Sequence, residues 1–249
     1  MAPQTSLYHF LDVPPQQRGA VTQSVTDALR RAIVTLELRP GEVLDKNAIC
    51  TRLGVSRFPV SEALARLQGE GLVDILPQRG SIVSLIRIAD VTEFMLIRKA
   101  LECEAVRVLV GHPSPDTVAN LARNLTAQHD AAAADDRQLF HALDLEFHEL
   151  LLTGMRFSKI KAAIEAARAN LDRARRLIIS PRRLNYSMVE HQAVFDAIVA
   201  GEAGGATAAM RAHIDSVMAE LFDFARDRQE LFADGGDYAM AMRHDFPFG

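Results

Sequence analysis

The chain has little of what several protein classes depend on. Its 249 residues contain no tryptophan, three tyrosines and only two cysteines. Cys50 and Cys103 cannot form a disulfide framework, and because each falls on a helical apolar pattern we expect both to be buried and reduced. No apolar run approaches the roughly eighteen residues of a membrane span, and the start lacks a basic-then-apolar signal peptide. We therefore expect a cytoplasmic protein that does not enter a membrane.

A large excess of positive charge is also missing. The formal net charge is −4 and the isoelectric point is about 6.1, so charge alone does not mark a nucleic-acid binder. Several basic residues lie in the first third of the chain, with acidic residues interspersed among them. These basic residues are Arg30, Arg31, Lys46, Arg52, Arg57, Arg66 and Arg79. Non-specific affinity for DNA would be modest, so specific contacts made by two copies would have to supply much of the strength.

The stretch from Leu44 to Val83 is the most informative part of the chain. It reads LDKNAICTRLGVSRFPVSEALARLQGEGLVDILPQRGSIV, in which apolar residues at helical spacing predict two short helices around a turn at Gly54. Ser56 is the expected N-cap of the second helix, and Pro59 fits only a helix's first turn. Two apolar runs around Pro77-Gln78-Arg79-Gly80 predict a hairpin. A helix-turn-helix with such a wing places its second helix in a major groove.

The run LGVSRFPVSEALARLQGEGLV followed by PQRG resembles the signature of the GntR family of bacterial transcription regulators. Two positions depart from the family pattern, since Phe58 replaces a threonine and Ser61 replaces an arginine. Losing that arginine removes a DNA contact, and a bidentate guanine contact is worth roughly 1–3 kcal/mol. Phe58 either presses on a thymine methyl or covers the turn. The resemblance implies a DNA-contacting set of Asn47, Arg57, Phe58, Ser61, Arg79 and Gly80.

The whole chain reads as mainly α-helical. We predict a flexible arm at 1–18, a winged helix-turn-helix of three helices and a small β-hairpin at 19–86, an all-α bundle at 87–232 and a disordered tail at 233–249. The first helix of the winged domain is expected at Val21–Leu38. About six to seven helices would form the bundle, including Asp90–Val110, Asp116–Ala133, Arg137–Leu152, Ser158–Ile179, Arg182–Ala200 and Gly205–Arg228.

Three histidines and a carboxylate stand out in the helical part. Asp144 and His148 lie four apart on one helix and so share a face. His191 and His213 lie on later helices, each among apolar residues. If the four converged, they would suit zinc, nickel or manganese. Spacing alone does not show convergence, and a histidine on an apolar face is commonly a satisfied core residue.

The motifs Asp144-x-x-Phe147-His148, Glu190-His191 and Met210-x-x-His213-Ile214 resemble the ligand-binding domain of FadR-subfamily GntR regulators. That resemblance implies that Asp144 and the three histidines hold a divalent metal inside an effector pocket. It also implies that Arg98, in Ile97-Arg98-x-x-Leu101-Glu102, meets the carboxylate of a small organic acid. The alternative is that Arg98 pairs with Glu102 or Asp144. Arg173, Arg175 and Arg176 could also face the pocket, but such a run of charges on a helix usually forms a solvated face.

Together these parts predict a homodimeric, sequence-specific DNA-binding regulator on a pseudo-palindromic operator. A small carboxylate metabolite would control its affinity for DNA, with repression relieved by the acid as the expected sign. One alternative is a structural DNA-binding protein whose helical domain only dimerises. Another is a metal-dependent hydrolase, although the chain shows no zincin motif and no nucleophile signature.

Overall fold

The structure is a computed structural model that describes residues 8–11, 20–78, 80–154 and 171–234. Most of the predicted arm and nearly all of the predicted disordered tail lie outside these residues. The described chain divides into two compact units. One consists of the residues up to Ile88 together with 228–234, and the other of residues 89–227.

The first unit is built from three helices and a small sheet. Its elements are α1 (Val21–Val34), β1 (Val43–Leu44), α2 (Lys46–Leu53), α3 (Arg57–Gly69), β2 (Val73–Leu76) and β3 (Gly80–Val83). Helix α1 ends four residues before its predicted end, and the chain leaves it through Leu36, whose φ is +64°. Leu38, placed in that helix by the sequence, instead lies buried beyond it.

The wing has one more strand than predicted. Strands β2 and β3 form the expected antiparallel hairpin, in which Asp74 faces Ile82 and Leu76 faces Gly80. The two-residue strand β1 pairs with the other edge of β3, so the sheet order is β1-β3-β2. Gly80 has a φ of +92°, which disfavours any side chain at this end of the wing.

The turn between α2 and α3 forms as predicted. Gly54 ends α2 in the left-handed conformation, with φ +64°. At the start of α2 the Asp45 carboxylate accepts hydrogen bonds from the backbone N–H groups of Asn47 and Ala48. Ser56 occupies the N-cap of α3, but its hydroxyl makes no capping hydrogen bond.

The core side of the helix-turn-helix is close to the expected one. Val60, Leu64 and Leu67 on α3 are fully buried, and this helix packs on α1. The burial expected for Cys50 was wrong, since Cys50 and Leu53 on α2 are both only half-buried. Cys103, in the other unit, is buried as predicted.

A short piece of the predicted arm is anchored. Tyr8 and Leu11 are buried, and the Tyr8 hydroxyl accepts from the Asp45 backbone N–H at 2.9 Å. Arg52 on α2 donates to the backbone carbonyls of Tyr8, His9 and Leu11. A separate contact involves residues 228–234 of the same unit. After a 3-10 turn at Gln229–Leu231, Phe232 pairs with Ile86 in an isolated parallel bridge.

The second unit is helical throughout its described part. Its helices are α4 (Ile88–Gly111), α5 (Pro115–Ala133), α6 (Arg137–Gly154), α7 (described at 171–178), α8 (Pro181–Val199) and α9 (Ala203–Asp227). The first part of the helix predicted at Ser158–Ile179 lies outside the described residues. Helix α5 packs on α6 and on α8, and α8 packs on α9.

Helix α4 buries part of its apolar face, including Val91 and Phe94, but Ile97 at the same helical spacing is 47% exposed. Arg98 and Glu102 are buried instead, at 4% and 1% exposure, because each has a charged partner inside the bundle. The predicted fold class, a winged helix-turn-helix with an all-α unit, is confirmed. Among the helices that the structure describes, none combines the length and the hydropathy that a membrane span requires.

Candidate metal centre and DNA-reading face

The packing of three helices brings three histidines together. Helix α6 carries His148, α8 carries His191 and α9 carries His213. A ring nitrogen from each lies within 4.8 Å of the others, and the Nε2 atoms of His191 and His213 are 3.3 Å apart. All three side chains are buried. The predicted histidines therefore converge at one point inside the bundle.

Asp144 completes the predicted set. It lies one turn before His148 on α6, and its Oδ1 atom is 3.6 Å from His191 Nε2 and 3.9 Å from His148 Nε2. Its other oxygen, Oδ2, accepts a hydrogen bond from Arg175 on α7. One carboxylate oxygen thus faces the imidazoles while a guanidinium holds the other.

Each imidazole has a side-chain oxygen atom close to its Nδ1. His191 Nδ1 is 2.8 Å from the side-chain oxygen of Gln128, and His213 Nδ1 is 2.8 Å from Glu190 Oε2. His148 Nδ1 is 2.7 Å from Glu102 Oε2, at the distance but not the angle of a hydrogen bond. Such acceptors favour the tautomer with hydrogen on Nδ1, which leaves the Nε2 lone pair available to a metal.

Burial keeps the imidazoles neutral. It lowers the pKa of His148 to about 4 and lowers the pKa values of His191 and His213 as well. Burial alone would raise the pKa of Asp144, but the Arg175 guanidinium beside it holds that pKa well below its usual range. Near neutral pH the cluster is therefore one carboxylate and three uncharged nitrogen donors, the protonation states that metal binding requires.

The donor set fits a divalent cation. With hydrogen on each Nδ1, the Nε2 lone pairs of His191 and His213 face each other across 3.3 Å and repel. A cation bound between the two nitrogens would remove this repulsion. Tetrahedral zinc with bonds of about 2.0–2.1 Å separates its ligand nitrogens by about 3.3 Å. His148 Nε2 is buried and has no hydrogen-bond partner among the described residues.

Arg98 lies inside the bundle with part of its guanidinium unused. Its Nε donates to Glu102 Oε1 at 2.6 Å, the pairing that the sequence left as an alternative. Its Nη1 and Nη2 atoms are buried and have no hydrogen-bond partner within the described part of the chain. Burial opposes ionisation of Glu102, yet Arg98 helps to lower the pKa of that carboxyl to about 2. Arg98 can therefore hold Glu102 and still offer two donors to a ligand.

Sequence reasoning missed several residues around the cluster. Arg175, for which a solvated face was favoured over the pocket, is buried against Asp144, and Arg173 in the same run is fully buried. His141, which belongs to none of the quoted motifs, is buried and lines a small cavity next to Asp144. Glu190 adjoins His191 in the quoted motif and could have been found there. Gln128 has no local signal, since it lies 63 residues before His191.

In the first unit the expected DNA contacts lie on exposed surface. Arg57 at the start of α3 donates from Nε and Nη2 to the side-chain oxygen of Asn47 on α2, at 3.1 and 2.6 Å. Phe58 is 72% exposed, and Ser61 and Gly80 are exposed too. Arg79, expected at the wing tip, lies outside the described residues.

Each of the two units matches the model of a known protein family. Residues 21–83 match the model of the gntR family of bacterial regulatory proteins, and residues 93–216 match the FCD domain. The chain is 35% identical over 209 residues to an HTH-type transcriptional regulator in an unstable DNA locus of Streptomyces ambofaciens, covering 82% of this chain and 86% of that protein. This chain belongs to the GntR family.

Further relatives agree. The HTH-type transcriptional repressor RspR of Escherichia coli K12 is 30% identical to this GntR-family chain over 217 residues, covering 86% of this chain and 94% of RspR. A GntR regulator structure from Rhodococcus sp. RHA1 has the same fold, with a TM-score of 0.68 at 24% identity over 81% of this chain and 97% of that one. The GntR-family protein is thus a DNA-binding transcriptional regulator and not an enzyme, so the hydrolase alternative was wrong.

Proposed function

We propose that this regulator is a repressor whose affinity for operator DNA is controlled by a small carboxylate bound beside a divalent metal. The observation that carries the proposal is the buried convergence of Asp144, His148, His191 and His213. A cluster used only as core would not need four polar groups aimed at one point, because burying polar groups without partners is unfavourable.

Different residues would bind the metal and the acid. Asp144 and the three histidines would hold zinc, nickel or manganese, and some FCD domains bind metal. When bound, the metal would supply open coordination positions for an oxygen ligand. Arg98 would bind the carboxylate of the acid through its two unpartnered donors, since a planar guanidinium matches a carboxylate with two parallel hydrogen bonds.

On the DNA side, α3 would lie in the major groove with the wing beside the backbone. Because Arg57 is held by Asn47, its guanidinium is oriented before it meets DNA, which lowers the entropic cost of the contact. Arg79 and Gly80 would contact the backbone from the wing. Two copies in a homodimer would read the two halves of a pseudo-palindromic operator in the cytoplasm.

The acid can change DNA affinity only if it binds one conformation of the regulator better than another. A coupling free energy of about 1–3 kcal/mol is typical and corresponds to roughly 5- to 150-fold in affinity. We expect the acid to favour the conformation that binds DNA less well.

The test begins with the metal. The full-length protein is purified and its metal content is measured by mass spectrometry, and its binding to DNA from upstream of its own gene is followed by fluorescence anisotropy. We expect about one divalent metal per chain, and DNA affinity that responds to small carboxylates only while the metal is present. His191→Ala should remove both the metal and the response.

His129→Ala is the matched control, because His129 is an exposed histidine of the same helical unit. It should leave metal content and response unchanged. A metal-free protein whose DNA affinity is unaffected by chelator and by His191→Ala would refute the proposal. In that case the helical unit would serve only as a scaffold or for dimerisation.

A further inference from the structure

Phe58 is a large apolar side chain that is exposed to solvent near the N-terminus of α3, the helix proposed to contact bases. It is the second residue of α3, and at 72% it is the most exposed of the large hydrophobic residues in the described chain. A phenylalanine that covered the turn before α3 would be shielded by it, and this one is not. Phe58 is therefore accessible to a group outside the chain, and burying its ring against an apolar group would be favourable.

The surroundings of Phe58 select the kind of partner. Arg57 beside it is joined to Asn47, so polar groups that can read base edges border the ring. Ser61 and Ala65, one and two turns further along the helix, are exposed and small. The face therefore has an aromatic ring at its N-terminal end and no bulky side chain at either of these positions.

We infer that Phe58 reads thymine, by packing its ring on the C5-methyl group in the major groove. The N-terminal residues of a recognition helix are those that reach base edges. A phenyl ring has no hydrogen-bond donor or acceptor, and the thymine methyl is the apolar feature that the major groove offers to it.

The size of the effect follows from one methyl group. Burying one corresponds to roughly a fourfold change in affinity, or about fifteenfold when both half-sites of a dimeric complex are counted. The inference rests on the proposed use of α3 to read DNA, so the experiment must separate failure of Phe58 from failure of the helix.

Deoxyuridine provides the test, because it differs from thymidine only by the missing methyl. Binding sites for the full-length protein are first selected from a random duplex library. Each thymine of the selected site is then replaced symmetrically by uracil, and dissociation constants are measured by anisotropy. We expect one symmetric replacement to weaken wild-type binding about fifteenfold. Phe58→Ala should bind the thymine and uracil sites equally well.

Leu139→Ala is the control for loss of an exposed apolar side chain, since Leu139 is 47% exposed on α6. It should keep the wild-type preference for thymine. Equal wild-type binding to thymine and uracil at every position would overturn the inference, and so would a Phe58→Ala protein that keeps the preference. If Arg57→Ala also left binding unchanged, the proposed DNA-reading role of α3 itself would be refuted.

Discussion

Acid should destabilise the helical unit of the metal-free protein at pH values where most of its carboxylates are still ionised. The His148 pKa is about 4 in the folded chain, against 6.5 for an exposed histidine. Above pH 6.5 neither state binds a proton there, so the free energy of unfolding does not change. Between pH 6.5 and about 4 only the unfolded state is protonated, so stability falls as the pH falls.

The magnitude follows from the shift. A difference of about 2.5 pKa units at His148 corresponds to a loss of about 3 kcal/mol once the pH is below 4. His191 and His213 also have lowered pKa values and act in the same direction. The total loss therefore exceeds that of His148 alone, against a total stability of about 5–15 kcal/mol for a domain. We expect the helical unit to lose a large part of its stability between pH 6.5 and about pH 4.

The assay is urea unfolding of chelator-treated protein at a series of pH values, followed by circular dichroism because the chain has no tryptophan. The His148→Gln variant should have a shallower dependence on pH between 6.5 and 4, whereas His129→Ala should match the wild type. A stability that stays flat from pH 7 to pH 4.5 would show that the imidazoles are not buried and neutral.

Three further predictions concern single contacts. Gln128→Leu should weaken metal binding about 10- to 100-fold in competition with a chelator, because it removes the acceptor behind His191. Arg52→Ala should lower the unfolding free energy of the first unit by about 1–3 kcal/mol, since three backbone carbonyls lose their shared donor. Thermal melts measure this change, and an unchanged melt would mean that the anchored segment does not contribute to stability. Asp45→Ala should cost about 1 kcal/mol while Ser56→Ala costs far less, because only Asp45 makes a capping hydrogen bond.

The helix-turn-helix could be predicted because its constraints are local. The left-handed turn at Gly54 and the place of Pro59 in the first turn of α3 follow from the allowed backbone angles of those residues. Strand β1 was missed because it has two residues and exists only through pairing with β3, which lies almost forty residues later. Non-local pairing leaves no periodic signal in so short a segment.

The candidate metal centre was predicted through resemblance rather than spacing. Three separate helices supply the histidines, so their convergence depends on how the bundle packs. Arg175 shows the limit of a local pattern, because its run of arginines looks solvated while its partner Asp144 lies 31 residues earlier. A buried charge can be recognised from sequence only when its partner is known, since the pair is stable in the core and the single charge is not.

The charges around the centre argue for an anionic effector. Glu102 faces Arg98 and Asp144 faces Arg175, while the three imidazoles are neutral, so these groups sum to zero without a metal. A divalent cation would add two positive charges to an interior that solvates charge poorly, which is unfavourable unless an anion accompanies it. An acid with its carboxylate on Arg98 and an oxygen on the metal would supply that charge. The same reasoning predicts that acids with two carboxylates bind more tightly than monocarboxylates of equal size, and that neutral amides of these acids do not bind.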